Sequence, residues 1–195
     1  MEIIQPTLFV VSAPSGAGKT TIIKRALESI PHLVLSVSHT SRHPRQGESH
    51  AKDYFFISAE EFRKKIENGD FLEWAIVHGN YYGTSRVEIL RLNKEGKLVI
   101  LDIDVQGAQQ LKNNKGIKSI YIFIEPPSME ELRKRLENRH TESPESIEIR
   151  IQNAREELRH KVEYDFVIVN DDLETAVKSF ENIIKQNASG AISVG

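Results

Sequence analysis

The chain has no cysteine, which excludes disulfides, thiolate nucleophiles and cysteine-bound zinc. It also has no apolar run near the roughly 18 residues of a membrane span, and Met1-Glu2-Ile3-Ile4 lacks the basic start and apolar stretch of a secretion signal. A soluble, unprocessed protein without a membrane partner is therefore expected, and a reducing cytoplasm suits it. A large excess of either charge is lacking too. A formal net charge of −2 gives no global attraction to nucleic acid, so any polyanion must be gripped locally. Repeats and low-complexity blocks are absent. What is present, 195 residues of which 39% are apolar, suffices for one α/β domain with a real core and small insertions.

The most informative stretch is Ser12-Ala13-Pro14-Ser15-Gly16-Ala17-Gly18-Lys19-Thr20-Thr21. It lies between a β-type run, Thr7 to Val11, and a helical pattern continuing through Leu27. Strand, glycine-rich turn and helix in this order form a phosphate cradle: backbone N–H groups curl around phosphate oxygens, the helix N-terminus points at them, and Lys19 adds mobile positive charge. Thr20 is then the expected Mg²⁺ ligand. The pattern G-x-x-x-x-G-K-S/T has Ala13 at its first position, a departure of one methyl group.

Further apolar runs at 33–38, 97–102, 119–124 and 166–170 bring the expected strands to five, separated by helical patterns from about 105 to 112, from Ser128, from Ser143-Pro144 and from Asp171 to about 187. The fold class that follows is α/β, a five-stranded parallel sheet of the phosphate-loop nucleotide-hydrolase type flanked by helices, with ligands at its carboxyl edge. Between residues 38 and 84, two strand-like runs around one short helix predict a small mixed α/β insertion, with the chain turning at Gly79–Thr84. The expected organisation is one domain over 1–188: core at 1–37, 85–126 and 158–188, insertion at 38–84, helical lid at 127–157, and a flexible tail at 189–195.

Asp102 ends an apolar strand, where such sheets place a carboxylate that holds Mg²⁺ directly or through water. Asp104 lies two residues on and alternatively caps the following helix. Asp104 to Gly107 also matches the D-x-x-G of GTPases. A switch protein would need a guanine-reading N-K-x-D as well, and Asn93-Lys94-Glu95-Gly96 lacks the aspartate and precedes the acidic strand.

The arginines fall into groups, Arg42 and Arg45 in the insertion and Arg135, Arg139 and Arg150 after Pro127. Groups on opposite moving parts suit phosphoryl transfer, whose charge must be neutralised while donor and acceptor oxygens approach in line. A solvated face with i,i+4 pairs is the alternative for any single helix arginine. His39, His43 and His50 cluster in the insertion without a zinc spacing. Trp74 and Phe71 read as packing residues.

Several blocks in one order resemble guanylate kinases from Leu8 to about Asn187. They are the loop from Ser12 to Lys19, Ser38 to Glu48, Asp53-Tyr54-Phe55-Phe56, Phe71-Leu72-Glu73-Trp74, Gly79 to Thr84, Leu101 to Gly107, and Val169-Asn170-Asp171-Asp172. The resemblance implies ATP + GMP ⇌ ADP + GDP, with dGMP as a further acceptor, Mg²⁺ with ATP, and a core, a GMP-binding insertion and a lid. It assigns Arg42, Arg45, Tyr54 and Tyr82 to the GMP phosphate, and Ser38, Glu73 and Thr84 to guanine, with Gly83 and Asp104 in the same site. Guanine's N1–H and N2–H₂ donors suit one carboxylate, and adenine offers neither in that geometry. Lys19, Arg135, Arg139 and Arg150 would stabilise the transferring group, and Asn170 would lie near adenine. Ala13 is a form that bacterial members also show. Two relatives of the fold are alternatives: a peptide-binding module, which would have an eroded phosphate loop, and a ribosyl bisphosphate kinase, which would not need Ser38, Glu73 and Thr84.

Overall fold

The computed structural model describes residues 8–77, 79–114, 118–138 and 143–188. In chain order, β1 (Leu8–Ser12) leads through the phosphate loop into α1 (Lys19–Ser29), and β2 (Leu33–Leu35) follows. The insertion contains β3 (His39–Thr40), β4 (Phe55–Phe56), α2 (Ala59–Glu67), β5 (Phe71–Val77) and β6 (Asn80–Ser85). The chain returns through α3 (Arg86–Lys94), β7 (Leu98–Asp102), α4 (Val105–Asn113), β8 (Ser119–Glu125), α5 (Met129–Glu137) and α6 (Pro144–Arg159). A 3₁₀ turn at His160–Glu163, β9 (Phe166–Val169) and α7 (Leu173–Ala188) complete it.

The main sheet is parallel with order β2-β7-β1-β8-β9. Its strands read as continuous apolar runs because alternate residues enter different cores. Phe9, Val11, Ile100 and Ile122 pack with Ala26 of α1 and Phe180 and Ile184 of α7. Leu8, Val10, Val99 and Leu101 pack with Ile89 and Leu92 of α3 and Leu111 of α4. Each such side chain removed from water contributes about 1.5–3 kcal/mol, so two covered faces favour this sheet over a half-solvated one. Among the described residues no helix is long and apolar enough to cross a membrane.

Local signals start the helices where the sequence marks them. Ser58 accepts from the Glu61 N–H while the Glu61 carboxylate accepts from the Ser58 N–H, a complete capping box on α2. Ser128 and Ser143 cap α5 and α6, the latter with Pro144 in its first turn. These helices share a small core of Leu132, Leu136, Ile147, Ile151 and Ala154.

The structure departs from the sequence reading in the insertion. The strand expected over 33–38 leaves the main sheet after Leu35: Ser36 N still donates to the Ile100 carbonyl at 2.9 Å, and the chain then crosses to a second sheet of order β4-β3-β6-β5. The insertion thus has four strands rather than two. The residues expected to turn, 79–84, lie mostly in β6, antiparallel to β5 with Glu73 opposite Thr84 and Ala75 opposite Tyr82. β6 carries no apolar run because Tyr82 and Gly83 line a cleft, while Tyr81 stacks on Phe62. The helix α3 has no counterpart in the sequence reading. Residues 189–195, the expected flexible tail, lie outside the described residues.

Candidate active site

The phosphate loop leaves β1 at Ser12 and turns tightly, Ala17 N donating to the Pro14 carbonyl at 3.0 Å. Gly16 and Gly18 hold φ near +94° and +98°, a region costly for residues with a Cβ. Gly18 is also the N-cap of α1 without a side-chain cap, so the helix end opens into a cleft beside the loop. Ala13, Pro14, Ser15, Gly16, Gly18, Lys19, Thr20 and Thr21 line that cleft. Ala17 faces the core instead, and its carbonyl accepts a 2.7 Å bond from the side-chain amide of Asn170. Asn170 is 5% exposed and supports the loop from below; a Cβ on Gly18 would overlap its amide.

The register of β1 and β7 pairs Val11 with Asp102, which brings the end of the acidic strand beside the loop. Lys19 Nζ lies 2.5 Å from Asp102 Oδ1. Asp104 combines both roles its position allows: its Oδ1 accepts the Gly107 N–H at 2.9 Å, capping α4, and it lines the cleft.

A second cleft opens on the other side of Lys19. Its walls include Ser38, Arg42, Arg45, Tyr54, Glu73, Tyr82, Gly83 and Asp104. Arg42 is held on three sides, donating to Tyr82 Oη at 3.2 Å, to the His43 carbonyl at 2.7 Å and to Glu48 Oε1 at 2.9 Å. Its guanidinium carbon also stands 5.5 Å from the centre of the Tyr54 ring. The other Glu48 oxygen accepts the Arg45 backbone N–H at 2.8 Å, so one carboxylate ties the Arg42 side chain to the backbone at Arg45. The bond with Arg42 holds Glu48 below the usual carboxylate range and raises the arginine.

At the inner end, Glu73 is 3% exposed and Thr84 fully buried, and Thr84 Oγ1 donates to Glu73 Oε1 at 2.5 Å. Burial pushes the Glu73 carboxyl up to about 7 against the opposing Thr84 hydrogen bond, with the Asp104 charge adding to the rise. A buried carboxylate beside arginine- and tyrosine-lined space, joined through Lys19 to a phosphate loop, fits two phosphorylated ligands.

The guanylate kinase sequence profile matches residues 5–187. A guanylate kinase of Geobacter metallireducens is 50% identical over 178 residues, covering 91% of this chain and 87% of that protein. One of Thermotoga maritima is 47% identical over 178 residues, 91% and 86% of the respective chains. The crystal structure of guanylate kinase from Anaplasma phagocytophilum superposes with a TM-score of 0.76 at 35% identity, covering 94% of this chain and 87% of that one.

The chain belongs to the guanylate kinase family.

In this member of the guanylate kinase family the later arginines are placed differently from one another. Arg150 of α6 donates to Ser15 Oγ at 2.6 Å and lines the cleft beside the phosphate loop. Arg135 pairs with Glu131 at 3.1 Å, the i,i+4 arrangement its sequence allows, and donates to the Asn170 carbonyl at 3.0 Å. Arg139 lies outside the described residues. His39 stacks on Phe55 with ring centres 4.7 Å apart and meets Phe71 edge-on, and His50 also packs on Phe55.

Three guanylate kinase residues escaped the sequence reading. Glu48 closes the stretch from Ser38 that resembles the family, three residues past Arg45. Glu157 lines the cleft beside the phosphate loop with Arg150, and their spacing of seven residues, two helical turns on one face, was a usable signal. Burial raises Glu157 to about 7, while Lys19 pulls it down and Asp104 pushes it up. The third is Gly107, given no site role as the glycine of the D-x-x-G stretch, although its Cα lies against Glu73.

Proposed function

We propose that this chain transfers the γ-phosphoryl group of ATP to GMP or dGMP, with the donor on the phosphate-loop side of Lys19 and the acceptor on the Glu73 side. The observation that carries the reading is the shared wall: Lys19, Asp102 and Asp104 line both clefts. A GMP phosphate oxygen bonds to the γ-phosphorus as that phosphorus separates from the β–γ bridging oxygen. No protein nucleophile is needed; alignment and charge neutralisation supply the rate.

Each residue's part follows from its surroundings. Arg42, Arg45, Tyr54 and Tyr82 bind the GMP phosphate, with Glu48 holding the Arg42 side chain and the Arg45 backbone in place before substrate arrives. Ionised Glu73 accepts from guanine N1–H and N2–H₂, and Ser38, Gly83, Thr84 and Asp104 complete that end. Lys19 stands where the γ-phosphoryl group crosses, and phosphate oxygens compete with Asp102 for its ammonium. Arg150 adds positive charge from α6, joined by Arg135 and Arg139 when α5 and α6 close as a lid over residues 127–157. Asn170 contributes to ATP binding by holding the loop's shape.

Thr20 and Asp102 are oxygen donors on the donor wall, and a hard ion that keeps waters and phosphate oxygens as most of its ligands suits them. Mg²⁺ fits that description. When bound with ATP, it neutralises phosphate charge. Among the described residues no group of three or more His, Cys, Asp or Glu forms a metal site, so such an ion would depend on the nucleotide.

A coupled ADP-release assay with ATP and each of GMP, dGMP, AMP, CMP and UMP tests the reading. Turnover with GMP and dGMP and little with the others is expected; no turnover with GMP at any Mg²⁺ concentration sinks it.

A further inference from the structure

Gly107 is the third residue of α4, and its backbone is ordinary helix rather than a positive-φ conformation. Nothing in its φ therefore asks for glycine, and alanine there would favour the helix. The reason lies across the interface with β5. A Cβ on Gly107 would overlap Glu73 Oε2, approach Glu73 Cδ to 3.1 Å and stand 3.4 Å from Asp104 Oδ1. Its N–H meanwhile donates to that same Asp104 oxygen.

The helix is not free to back away. One turn further along the same face, Gln110 accepts from Trp74 N at 3.1 Å and donates to the Trp74 carbonyl at 2.6 Å, clamping α4 to the residue next to Glu73. The other Glu73 oxygen is held by Thr84. With the helix clamped and the strand paired, the movable element is the carboxylate itself.

We propose that Gly107 is a positioning residue for nucleobase specificity: its bare Cα lets the Glu73 carboxylate lie flat on the first turn of α4, beside Asp104, at the depth where it meets guanine. The D-x-x-G from Asp104 to Gly107 thus has a use unrelated to GTPase switching. Its aspartate caps the helix and its glycine seats a second carboxylate. The inference rests on Glu73 reading guanine.

The test compares GMP with inosine monophosphate, which lacks the 2-amino group, as acceptors for ATP. Gly107→Ala is expected to raise KM for GMP about tenfold and to narrow the GMP/IMP ratio of kcat/KM by a similar factor, the scale of one misplaced charged hydrogen bond. KM for ATP and the thermal midpoint should hold or, for the midpoint, rise. Glu73→Asp, which withdraws the carboxylate by one methylene, should damage the ratio less in the Gly107→Ala background than in the wild type. A folded Gly107→Ala enzyme with the wild-type ratio, or strictly additive effects of the two changes, overturns the proposal. Should Gly107→Ala fail to fold, Glu73→Asp/Gly107→Ala is compared with Glu73→Asp, and lower selectivity in the double variant overturns it. If the wild type itself does not prefer GMP to IMP, the Glu73 reading fails instead.

Discussion

The side-chain amide of Asn170 donates to the carbonyl of Ala17 at 2.7 Å, joining the end of β9 to the phosphate loop across 153 residues of chain. Asn170→Ala would leave that buried carbonyl without its partner, at a cost of about 1–3 kcal/mol. A lower thermal midpoint together with a higher KM for ATP and an unchanged KM for GMP is the expected pattern. Equal changes in both KM values would contradict the loop-holding role.

Lys19→Met removes the ammonium from the wall shared by the clefts. Turnover should fall ~10²–10³-fold, the scale of losing one charge-stabilising donor, while GMP still binds in a direct titration. Surviving turnover would remove Lys19 from the transfer step.

Glu73 couples GMP recognition to protons. Burial raises its carboxyl to about 7, and only the ionised form accepts both guanine donors. The GMP complex therefore holds fewer protons than the free enzyme, so affinity should increase with pH up to about 7 and weaken below it by up to about tenfold per unit. GMP itself titrates in this range, so the informative quantity is the difference between the pH profiles of wild type and Glu73→Gln. Glu73→Gln should also lose most of the preference for GMP over AMP. Identical pH profiles would show that Glu73 does not titrate on binding.

His39 makes the stability of the insertion fall in acid. Burial between Phe55 and Phe71, aided by nearby Lys65, lowers its pKa to about 4, and its Nδ1 has no hydrogen-bond partner. The unfolded chain, with a histidine near 6.5, binds more protons between those values, so this contribution to stability is full above about 6.5 and declines as pH falls toward 4. Raised carboxyls such as Glu73 and Glu157 act in the other sense, so the comparison must be made within pairs. His39→Phe should lose less stability than wild type between pH 7 and 4.5 in urea unfolding; parallel losses would refute this.

Much of this protein is legible residue by residue. The five apolar runs, the glycine-rich loop, the serine caps of α2, α5 and α6 and the block order that resembles guanylate kinases all depend on local patterns, because side-chain period and backbone conformation act over a few residues. The insertion was legible only in part, since β6 is polar where it faces a cleft. Tertiary structure alone decided that Asp102 meets Lys19, through the pairing of Val11 with Asp102, and that Glu73 meets Thr84, through the antiparallel register of β5 and β6. It also decided the seat of Glu73 on Gly107 and the rise of its carboxyl, because burial and close approach are properties of segments far apart in the chain. The residue types were written locally; their charges and distances arose where strands and helices from different parts of the chain were packed together.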